Sequence, residues 1–297
     1  MISICIPVYN YCVYPLVSAL RNQAHALGVE VELVCIDDCS SEEYRLKNSS
    51  LKEIATYVQL EENVGRARIR NLFVTHTKGE YLLFLDNDSL VGEGFLKAYL
   101  ELLDSHPSVV VGGRIYDRET DSPERHLRYL YGTRVESRGA KHRRRHPYRS
   151  FMTNNFLIRR EILEEIGFDD SLSRYGHEDT LFGYRLQQKG IPILHIDNPV
   201  VNGEVETNEV FLAKSMEAVE NLSLLYDRMR GDKDFCRSVR LLSVYEHLRA
   251  MHLLNPVLRC CRRRKAHMEQ RLKEGRRVTV AEFNLYKLGQ FIATQNN

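Results

Sequence analysis

Tyr81-Leu82-Leu83-Phe84-Leu85 runs directly into Asp86-Asn87-Asp88. The apolar run is typical of a strand buried on both faces of a parallel sheet. Two carboxylates one residue apart at the end of such a strand are costly unless a cation lies between them. A divalent cation that also holds a phosphate meets this requirement, because hard cations prefer oxygen ligands and share them with substrate phosphates. The stretch therefore predicts a transfer enzyme that depends on a metal and a nucleotide.

Strand and helix patterns alternate through the first third of the chain. The strand-like segments are residues 2–6, 31–36, 56–60 and 81–85. Such alternation predicts βαβ units and an α/β fold with a mostly parallel sheet. Ligands of these sheets bind beyond the carboxyl ends of the strands. Asp37-Asp38 and Asp86-Asn87-Asp88 both fall at such ends.

The pattern is less regular after residue 107. The polar stretch 117–149 predicts a long loop region. The other predicted elements are strands at 109–111 and 191–196 and helices at 160–166 and 179–189. Beyond residue 204 the patterns are almost wholly helical. We therefore expect an α/β domain at 1–203 and a helical C-terminal extension at 204–297.

Composition limits the class of protein. With 43% hydrophobic and 28% charged residues, the chain resembles ordinary soluble globular proteins. The formal net charge of +2 gives no bulk field that requires a polyanion, so no nucleic acid is expected as a partner. Seven cysteines without a CxxC pair predict reduced thiols and a cytoplasmic setting. No stretch approaches the roughly 18 apolar residues that span a bilayer, and no signal peptide is visible before the first strand.

Motifs spread over residues 1–203 resemble those of glycosyltransferase family 2 in order and spacing. They are Ile4-Cys5-Ile6-Pro7-Val8-Tyr9-Asn10, Ile36-Asp37-Asp38-Cys39-Ser40, Asn63-Val64-Gly65 with Arg70-Asn71, Gly79-Glu80-Tyr81 with Asp86-Asn87-Asp88, Asn154-Asn155-Phe156, Gly167-Phe168-Asp169, and Gly176-His177-Glu178-Asp179. The resemblance implies the GT-A fold, a Rossmann-like nucleotide-binding α/β sheet that carries a D-x-D metal motif. It also implies inverting transfer of a sugar from a nucleotide-sugar.

The resemblance assigns the first nucleotide contacts. Pro7, Tyr9 and Asp38 are expected to lie around the base and ribose; Asp38 is preferred to Asp37, for which pointing back to fix the loop is an equal alternative. A carboxylate at a strand end can accept hydrogen bonds from a base or ribose edge. Taken alone, Asp37 and Asp38 are equally consistent with a turn or a helix cap.

A second group of expected contacts lies on the following helix. Gly65, Arg70 and Asn71 match the family's G-x-x-x-x-R-N pattern. The resemblance implies that the start of this helix faces the phosphates and that Arg70 braces the D-x-D loop. For Arg66 and Arg68 a solvated helix face is the expected setting.

The resemblance places the metal at the D-x-D motif. Asp88 is expected to bind Mn2+ or Mg2+ directly, Asp86 to contact the ribose or reach the metal through water, and Asn87 to lie among the nucleotide-sugar contacts. Family members often carry a further metal-binding histidine after the late strand. The matching position here is Asn202, an oxygen ligand but a poorer one for manganese. His195, earlier in that strand, is expected to be structural. For the Asp86-Asn87-Asp88 motif, the alternative to a metal site is a capped turn after a strand.

The third acidic cluster supplies the expected base. An inverting transfer needs a group that takes the proton of the acceptor hydroxyl. The resemblance implies that Asp179 is this base and that Glu178 orients the acceptor or Asp179. In isolation, the same residues are typical of an ordinary helix cap.

Two basic runs leave alternatives open. Arg143-Arg144-Arg145 is expected either to contact an anionic acceptor or to lie in a solvated loop. Arg262-Arg263-Arg264-Lys265, beside apolar residues 253–258, is consistent with contact to an anionic membrane surface. The chain has Gln187-Gln188-Lys189-Gly190 where processive members carry Q-x-x-R-W, which favours transfer of single sugars.

These observations predict an inverting transferase that moves one sugar from a nucleotide-sugar, a UDP-sugar, to a glycan or lipid-linked acceptor. The expected setting is bacterial cell-surface polysaccharide synthesis, in the cytoplasm or on the inner face of the membrane. A sugar-nucleotide pyrophosphorylase should carry a Gly-rich basic loop after the first strand, and Pro7-Val8-Tyr9-Asn10 is not one. The remaining alternative is a catalytically impaired scaffold that binds membranes or polyanions through its basic runs.

Overall fold

The computed structural model describes residues 1–172 and 175–296, which fall into two compact units. The first unit is made of Met1–Ile115, Ser137–Ser173 and Leu181–Gly203. The second unit is made of Tyr116–Glu136, Arg174–Thr180 and Glu204–Asn297. The second unit thus combines the helical tail with two segments from earlier in the chain.

The elements follow the predicted alternation in the first third of the chain. The strands are β1 (Ile2–Val8), β2 (Glu32–Asp37), β3 (Thr56–Gln59), β4 (Tyr81–Leu85), β5 (Ser89–Leu90), β6 (Val109–Val111), β7 (Arg114–Tyr116), β8 (Asn155–Arg159), β9 (Ile193–His195) and β10 (Val200–Asn202). The helices are α1 (Tyr14–Leu27), α2 (Glu42–Lys47), α3 (Gly65–His76), α4 (Phe95–Leu100), α5 (His126–Tyr131), α6 (Ala140–Arg143), α7 (Arg160–Ile166), α8 (Glu178–Gln188), α9 (Asn208–Met229), α10 (Lys233–Ser238), α11 (Arg240–Ala250), α12 (Leu254–Glu274) and α13 (Val280–Gln295).

A seven-stranded sheet in the order β3-β2-β1-β4-β8-β6-β9 forms the centre of the first unit. Strands β3, β2, β1 and β4 are parallel neighbours, whereas β8 runs antiparallel to both β4 and β6. The carboxyl ends of β1, β2 and β4 therefore lie side by side at one edge of the sheet. The predicted α/β fold with a mostly parallel sheet is confirmed. A smaller sheet has the order β5-β10-β7.

Apolar side chains cover both faces of the large sheet. Successive side chains of a strand point to opposite faces, so Leu83 of β4 belongs to the core cluster with α1 and α4, and Phe84 to the cluster with α3 and α7. Phe84 stacks on Phe156 with ring centroids 4.8 Å apart. Burying one such side chain stabilises the fold by about 1.5–3 kcal/mol. The continuous apolar run in β4 is thus explained by burial on two sides.

The prediction of a long loop at 117–149 is wrong, because much of this stretch is helical. It contains α5, a π-helical turn at Gly132–Glu136, and α6. The polar composition misled the prediction because its charged side chains have partners inside the protein. In the second unit, buried Arg128 pairs with Glu136 at 3.1 Å and lies over the Tyr116 ring. The predicted strand 191–196 is shorter, and β10 follows it as a separate strand.

The second unit is built mainly from helices, which confirms the predicted helical C-terminal region. Its core includes Leu127, Phe211, Leu272, Phe283 and Tyr286. The long helices α9 and α13 begin at threonine caps whose side chains accept the backbone N–H three positions further along the chain. Within residues 1–172 and 175–296, none of the helices has the length and apolar character needed to cross a membrane.

Candidate functional site

Backbone hydrogen bonds hold the Asp86-Asn87-Asp88 turn directly after β4. The Asp86 N–H donates to the Asn154 carbonyl at 3.2 Å, and the Ser89 N–H donates to the Asp86 carbonyl at 3.1 Å. The Gly203 N–H donates to the Asp88 carbonyl at 2.7 Å. A Cβ at Gly203 would lie 2.9 Å from that same carbonyl oxygen, so a larger residue would force the turn to shift. The backbone that carries both carboxylates is therefore fixed at the carboxyl end of the strand.

Three arginines surround the Asp86 carboxylate. Arg70 Nη2 donates to Oδ1 at 2.9 Å, while Arg114 Nη2 and Arg66 Nη2 lie 3.4 and 3.8 Å from Oδ2. Burial alone raises the pKa of Asp86, but the guanidiniums of Arg66, Arg70 and Arg114 outweigh it and hold the pKa below its usual value. Asp86 is therefore ionised at neutral pH, and Arg70 braces the loop as the resemblance implies.

Arg114 also reaches the second carboxylate of the motif. Its Nη2 lies 3.3 Å from Asp88 Oδ1, so one guanidinium bridges Asp86 and Asp88. The Asn202 amide N–H donates to Asp88 Oδ2. The sequence argument required a cation between these carboxylates, and in this structure a side chain provides one.

Sequence reasoning missed Arg66 and Arg114. Arg66 lies one helical turn before Arg70, and residues four apart share a helix face; that spacing was a usable signal. Arg114 carries no local signal, because it reaches Asp86 and Asp88 from β7, which lies 26 to 28 positions further along the chain.

The residues present fit a divalent metal that is shared with a diphosphate. Mn2+ and Mg2+ sites of this kind use one or two carboxylates together with substrate phosphates, and Asp86 and Asp88 supply two. No group of three or more His, Cys, Asp or Glu side chains is placed to hold a metal within 1–172 and 175–296. In that same part of the chain, the buried Ser89 hydroxyl and the buried Asn154 side-chain amide have no hydrogen-bond partner. Ser89 follows Asp88 in the chain and the Asn154 carbonyl accepts the Asp86 N–H, so both unpartnered groups belong to residues that adjoin the motif.

The carboxylates of Asp37 and Asp38, at the end of β2, have different hydrogen-bond partners. Asp37 is fully buried; its Oδ1 accepts from the Ser40 N–H at 2.7 Å, and its Oδ2 accepts from the Tyr57 hydroxyl at 2.5 Å. This is the loop-fixing alternative for Asp37. Asp38 accepts the Val64 N–H at 2.6 Å on one oxygen and the Gly65 N–H at 3.0 Å on the other. Burial raises the pKa of Asp38, and the two amides act against that rise.

The start of α3 is therefore partly occupied by Asp38, since two amides expected to face the phosphates already bind its carboxylate. Gly65 has φ +81, and a side chain there would have open space but a strained backbone. Asn71 binds the backbone of Phe168 through both ends of its amide, at 2.9 and 2.8 Å. Asn71 thus ties α3 to the Gly167-Phe168 turn.

The remaining predicted nucleotide residues lie around the end of β1. Pro7 pairs with Ile36 in the parallel register. Tyr9 follows the strand and is 52% exposed, and its carbonyl accepts from the Asn87 side-chain amide at 3.2 Å. An exposed ring at the carboxyl edge of the sheet is available to stack on a base. Pro7, Tyr9, Asn87 and the D-x-D turn are thus brought together within the first unit.

Glu178 and Asp179 begin α8 and lie in the second unit. Asp179 Oδ1 accepts the Thr180 N–H at 2.6 Å, and Glu178 is buried. The preceding His177 has φ +70, an unusual backbone for a non-glycine residue, and burial lowers its pKa to about 4. Asn221 of α9 donates to the Gly176 carbonyl at 2.5 Å. The segment before Asp179 is therefore anchored on α9, and the catalytic roles stay predictions.

The Arg143 prediction is corrected by its surroundings. Arg143 is 3% exposed and donates to His195 Nδ1 at 3.1 Å and to the Gly112 and Ile196 carbonyls at 3.0 and 2.6 Å. It can contact neither solvent nor an acceptor, because its donors are used to join the chain segments around β6 and β9. His195 donates to the Pro147 carbonyl at 3.0 Å and is structural, as expected.

Comparisons with known sequences identify relatives of the first unit. The sequence model of Glycosyl transferase family 2 matches residues 3–167. An uncharacterized glycosyltransferase of Haemophilus influenzae is 31% identical over 111 residues, which cover 37% of this chain and 36% of the relative. The poly(ribitol-phosphate) beta-N-acetylglucosaminyltransferase TarS of Staphylococcus aureus is 34% identical over 119 residues, which cover 37% of this chain and 20% of TarS. The matches thus span well under two thirds of either relative.

A comparison with solved structures addresses the fold. The mannosyltransferase PcManGT from Pyrobaculum calidifontis, in complex with GDP-Man and Mn2+, matches with a TM-score of 0.59 at 16% identity. The match covers 99% of this chain and 85% of the other. At this identity the similarity shows the fold alone, and the expected GT-A fold is confirmed.

Proposed function

The chain belongs to Glycosyl transferase family 2 and is a glycosyltransferase, and we propose that it transfers one sugar at a time from a UDP-sugar with inversion at the anomeric carbon. The observation that carries this proposal is the Asp86-Asn87-Asp88 turn, fixed at the carboxyl end of β4 beside the ends of β1 and β2. That edge is where parallel sheets bind nucleotides.

The residues around the turn would have different roles in binding the donor. Asp88 and Asp86 would hold a divalent cation, with Asn202 orienting Asp88 through its N–H. The bound cation would stabilise the negative charge that develops on the leaving diphosphate. Arg66 and Arg70 keep Asp86 ionised for this role. Pro7, Tyr9 and Asn87 are left to contact the base and ribose.

We assign the general base to Asp179. In the proposed step the acceptor oxygen bonds to the anomeric carbon, the bond from that carbon to the diphosphate oxygen breaks, and the hydroxyl proton passes to the Asp179 carboxylate. Glu178, which is buried beside it, orients Asp179 or the acceptor. The Thr180 N–H that binds Asp179 stabilises its ionised form before the proton arrives.

For the acceptor we propose a bacterial cell-surface glycan, either free or lipid-linked. TarS, a relative of the first unit, acts by its name on poly(ribitol-phosphate). The proposed setting is the cytoplasm or the inner face of the membrane. The alternative of an impaired scaffold predicts salt-sensitive binding of polyanions without turnover.

The test compares hydrolysis of UDP- and GDP-sugars by the wild-type protein and by Asp179→Asn, with and without Mn2+. We expect one UDP-sugar to be turned over. Once an acceptor is found, Asp179→Asn should lose about a hundredfold or more in transfer rate, while donor affinity and melting temperature hold. Asn retains the capping ability of Asp, so near-normal transfer by the mutant would show that Asp179 is only a cap. If no nucleotide-sugar is hydrolysed or bound, the proposed function is wrong.

A further inference from the structure

Arg114 contacts both carboxylates of the motif. Its Nη2 lies 3.4 Å from Asp86 Oδ2 and 3.3 Å from Asp88 Oδ1, and its side chain is 11% exposed. Arg70 contacts Asp86 at 2.9 Å and uses a second nitrogen on the Arg66 carbonyl. Arg66 Nη2 lies 3.8 Å from Asp86 Oδ2, and its side chain is 44% exposed.

We propose that Arg114 is a built-in counter-cation which a divalent metal has to displace from between Asp86 and Asp88. Arg114 would then keep the metal from binding firmly until the nucleotide diphosphate arrives. The displaced guanidinium, a fork of donors suited to phosphate oxygens, would gain the diphosphate as its new partner. The inference rests on the proposed function, because it concerns the same donor site.

The position of Arg114 favours movement of its side chain alone. The backbone just before it is fixed, since Arg143 donates to the Val111 and Gly112 carbonyls at 3.2 and 3.0 Å. Gly113 has φ +95, and a Cβ there would collide with the Arg143 guanidinium. The backbone before Arg114 thus has one defined conformation. The long Arg114 side chain can still rotate about its own bonds, from the carboxylates towards a phosphate.

The competition is large enough to measure. A divalent metal and the Arg114 guanidinium compete for the same two carboxylates, and opposite charges 3.3 to 3.4 Å apart attract each other strongly where little solvent screens them. A metal entering the motif meets the same competition from Arg114 twice, once at each carboxylate. By contrast, Arg66 lies 3.8 Å from Asp86 and is 44% exposed, so solvent weakens the effect of its charge.

The test measures the affinity for Mn2+ in the absence of nucleotide, and electron paramagnetic resonance monitors the concentration of the free ion. Arg114→Gln should bind Mn2+ about tenfold more tightly than the wild type. Arg66→Gln removes the same charge from a more distant side chain, 3.8 Å from Asp86 and 44% exposed, and should gain clearly less. Adding UDP should tighten Mn2+ binding strongly in the wild type and only slightly in Arg114→Gln, because part of the cost has already been removed.

Equal Mn2+ affinity in the wild type and Arg114→Gln, or an equal gain in Arg66→Gln, would overturn the inference. If Arg114→Gln does not fold, Arg114→Met takes its place, because it also removes the charge and keeps a long side chain. Unchanged Mn2+ affinity in Arg114→Met would then overturn the inference. Asp88→Asn separates the two proposals. If it binds Mn2+ as well as the wild type, the metal site itself is misplaced, whatever Arg114 does.

Discussion

Asp88 is a residue whose loss should affect nucleotide binding more than folding. Its side chain is 23% exposed and contacts Arg114 and Asn202. Asp88→Asn keeps the size of the side chain but removes the charge that a metal needs. We expect UDP affinity in Mn2+ to fall in calorimetric titrations, while the melting temperature stays near that of the wild type. Equal UDP affinity in mutant and wild type, or indifference of the wild type to a chelator, would contradict the metal assignment.

Replacing Asn154 should lower the affinity for UDP without any loss of stability. It is 4% exposed, and in the described part of the chain both polar atoms of its amide lack a partner. It lies next to Asp86, which donates to its carbonyl. Because an unsatisfied buried polar group costs about 1–3 kcal/mol, Asn154→Leu should leave the free energy of unfolding unchanged or higher. Affinity for UDP should fall if the amide serves the donor.

Tyr81 provides the matched control for Asn154. Its buried hydroxyl also lacks a partner in the described part of the chain, but it lies at the opposite end of β4 from the D-x-D motif. Tyr81→Phe should therefore stabilise the protein in urea titrations and leave UDP affinity unchanged. If Asn154→Leu behaves in the same way as Tyr81→Phe, the Asn154 amide has no role in donor binding.

At the scale of elements, the junction of α6 and β9 predicts how stability depends on pH. His195 is fully buried between Arg143 and the Pro147 carbonyl, and burial lowers its pKa to about 4. In the unfolded chain a histidine has a pKa of about 6.5. As pH falls from about 6.5 towards 4, the unfolded state therefore takes up a proton that the folded state refuses, and stability is lost.

The loss from His195 can be as large as about 3 kcal/mol across that range. His195→Gln should lower stability at neutral pH and make the free energy of unfolding, measured in urea, depend less steeply on pH. Some dependence should remain, because burial also lowers the pKa of His177 to about 4. An unchanged pH slope in His195→Gln would mean that His195 is not held neutral.

At the scale of the whole molecule, the features that could be predicted from the sequence are those that depend on local residue patterns. Strands β1 to β4 and helix α3 follow from apolar runs and helical spacing, and the D-x-D pair follows directly after its strand. The short strands β5, β7 and β10 were not predicted, because two or three residues cannot show a period and depend on pairing with one another. The polar stretch 117–149 was misjudged, since buried charged residues there have partners inside the protein. Arg128 binds Glu136, eight positions further along the chain, and Arg143 binds the Ile196 carbonyl, 53 positions further along.

The candidate site could likewise be predicted in part from the sequence. Asp86 and Asp88 carry the pattern in their own spacing, whereas Arg114 becomes relevant only once the chain is folded. The capping of α3 by Asp38 also joins residues 26 to 27 positions apart. Two carboxylates one residue apart repel each other, and the sequence therefore predicted that a cation is needed between them. The sequence could not show which group supplies that cation.

The basic surface of the second unit supports one prediction about location. Helix α12 buries Leu258, Cys261, Met268 and Leu272 on one side and exposes Arg259, Arg262, Arg263, Arg264 and Lys265 around the other. Just before it, Met251 and Leu253 are 52% and 36% exposed. Exposed apolar residues next to a basic run are typical of contact with an anionic membrane surface, which attracts each basic residue weakly and is screened by salt.

We therefore expect the protein to sediment with vesicles that contain phosphatidylglycerol and to be released by salt. Replacing Arg262, Arg263 and Arg264 together with Ser should abolish this binding. The matched control replaces three exposed arginines of other elements, Arg68, Arg118 and Arg145, and so removes the same charge. Because attraction to a surface acts over about a Debye length, roughly 8–10 Å, only arginines close to the bilayer should matter. Sedimentation that survives the α12 substitutions, or that is lost equally in the control, would exclude α12 as the docking surface.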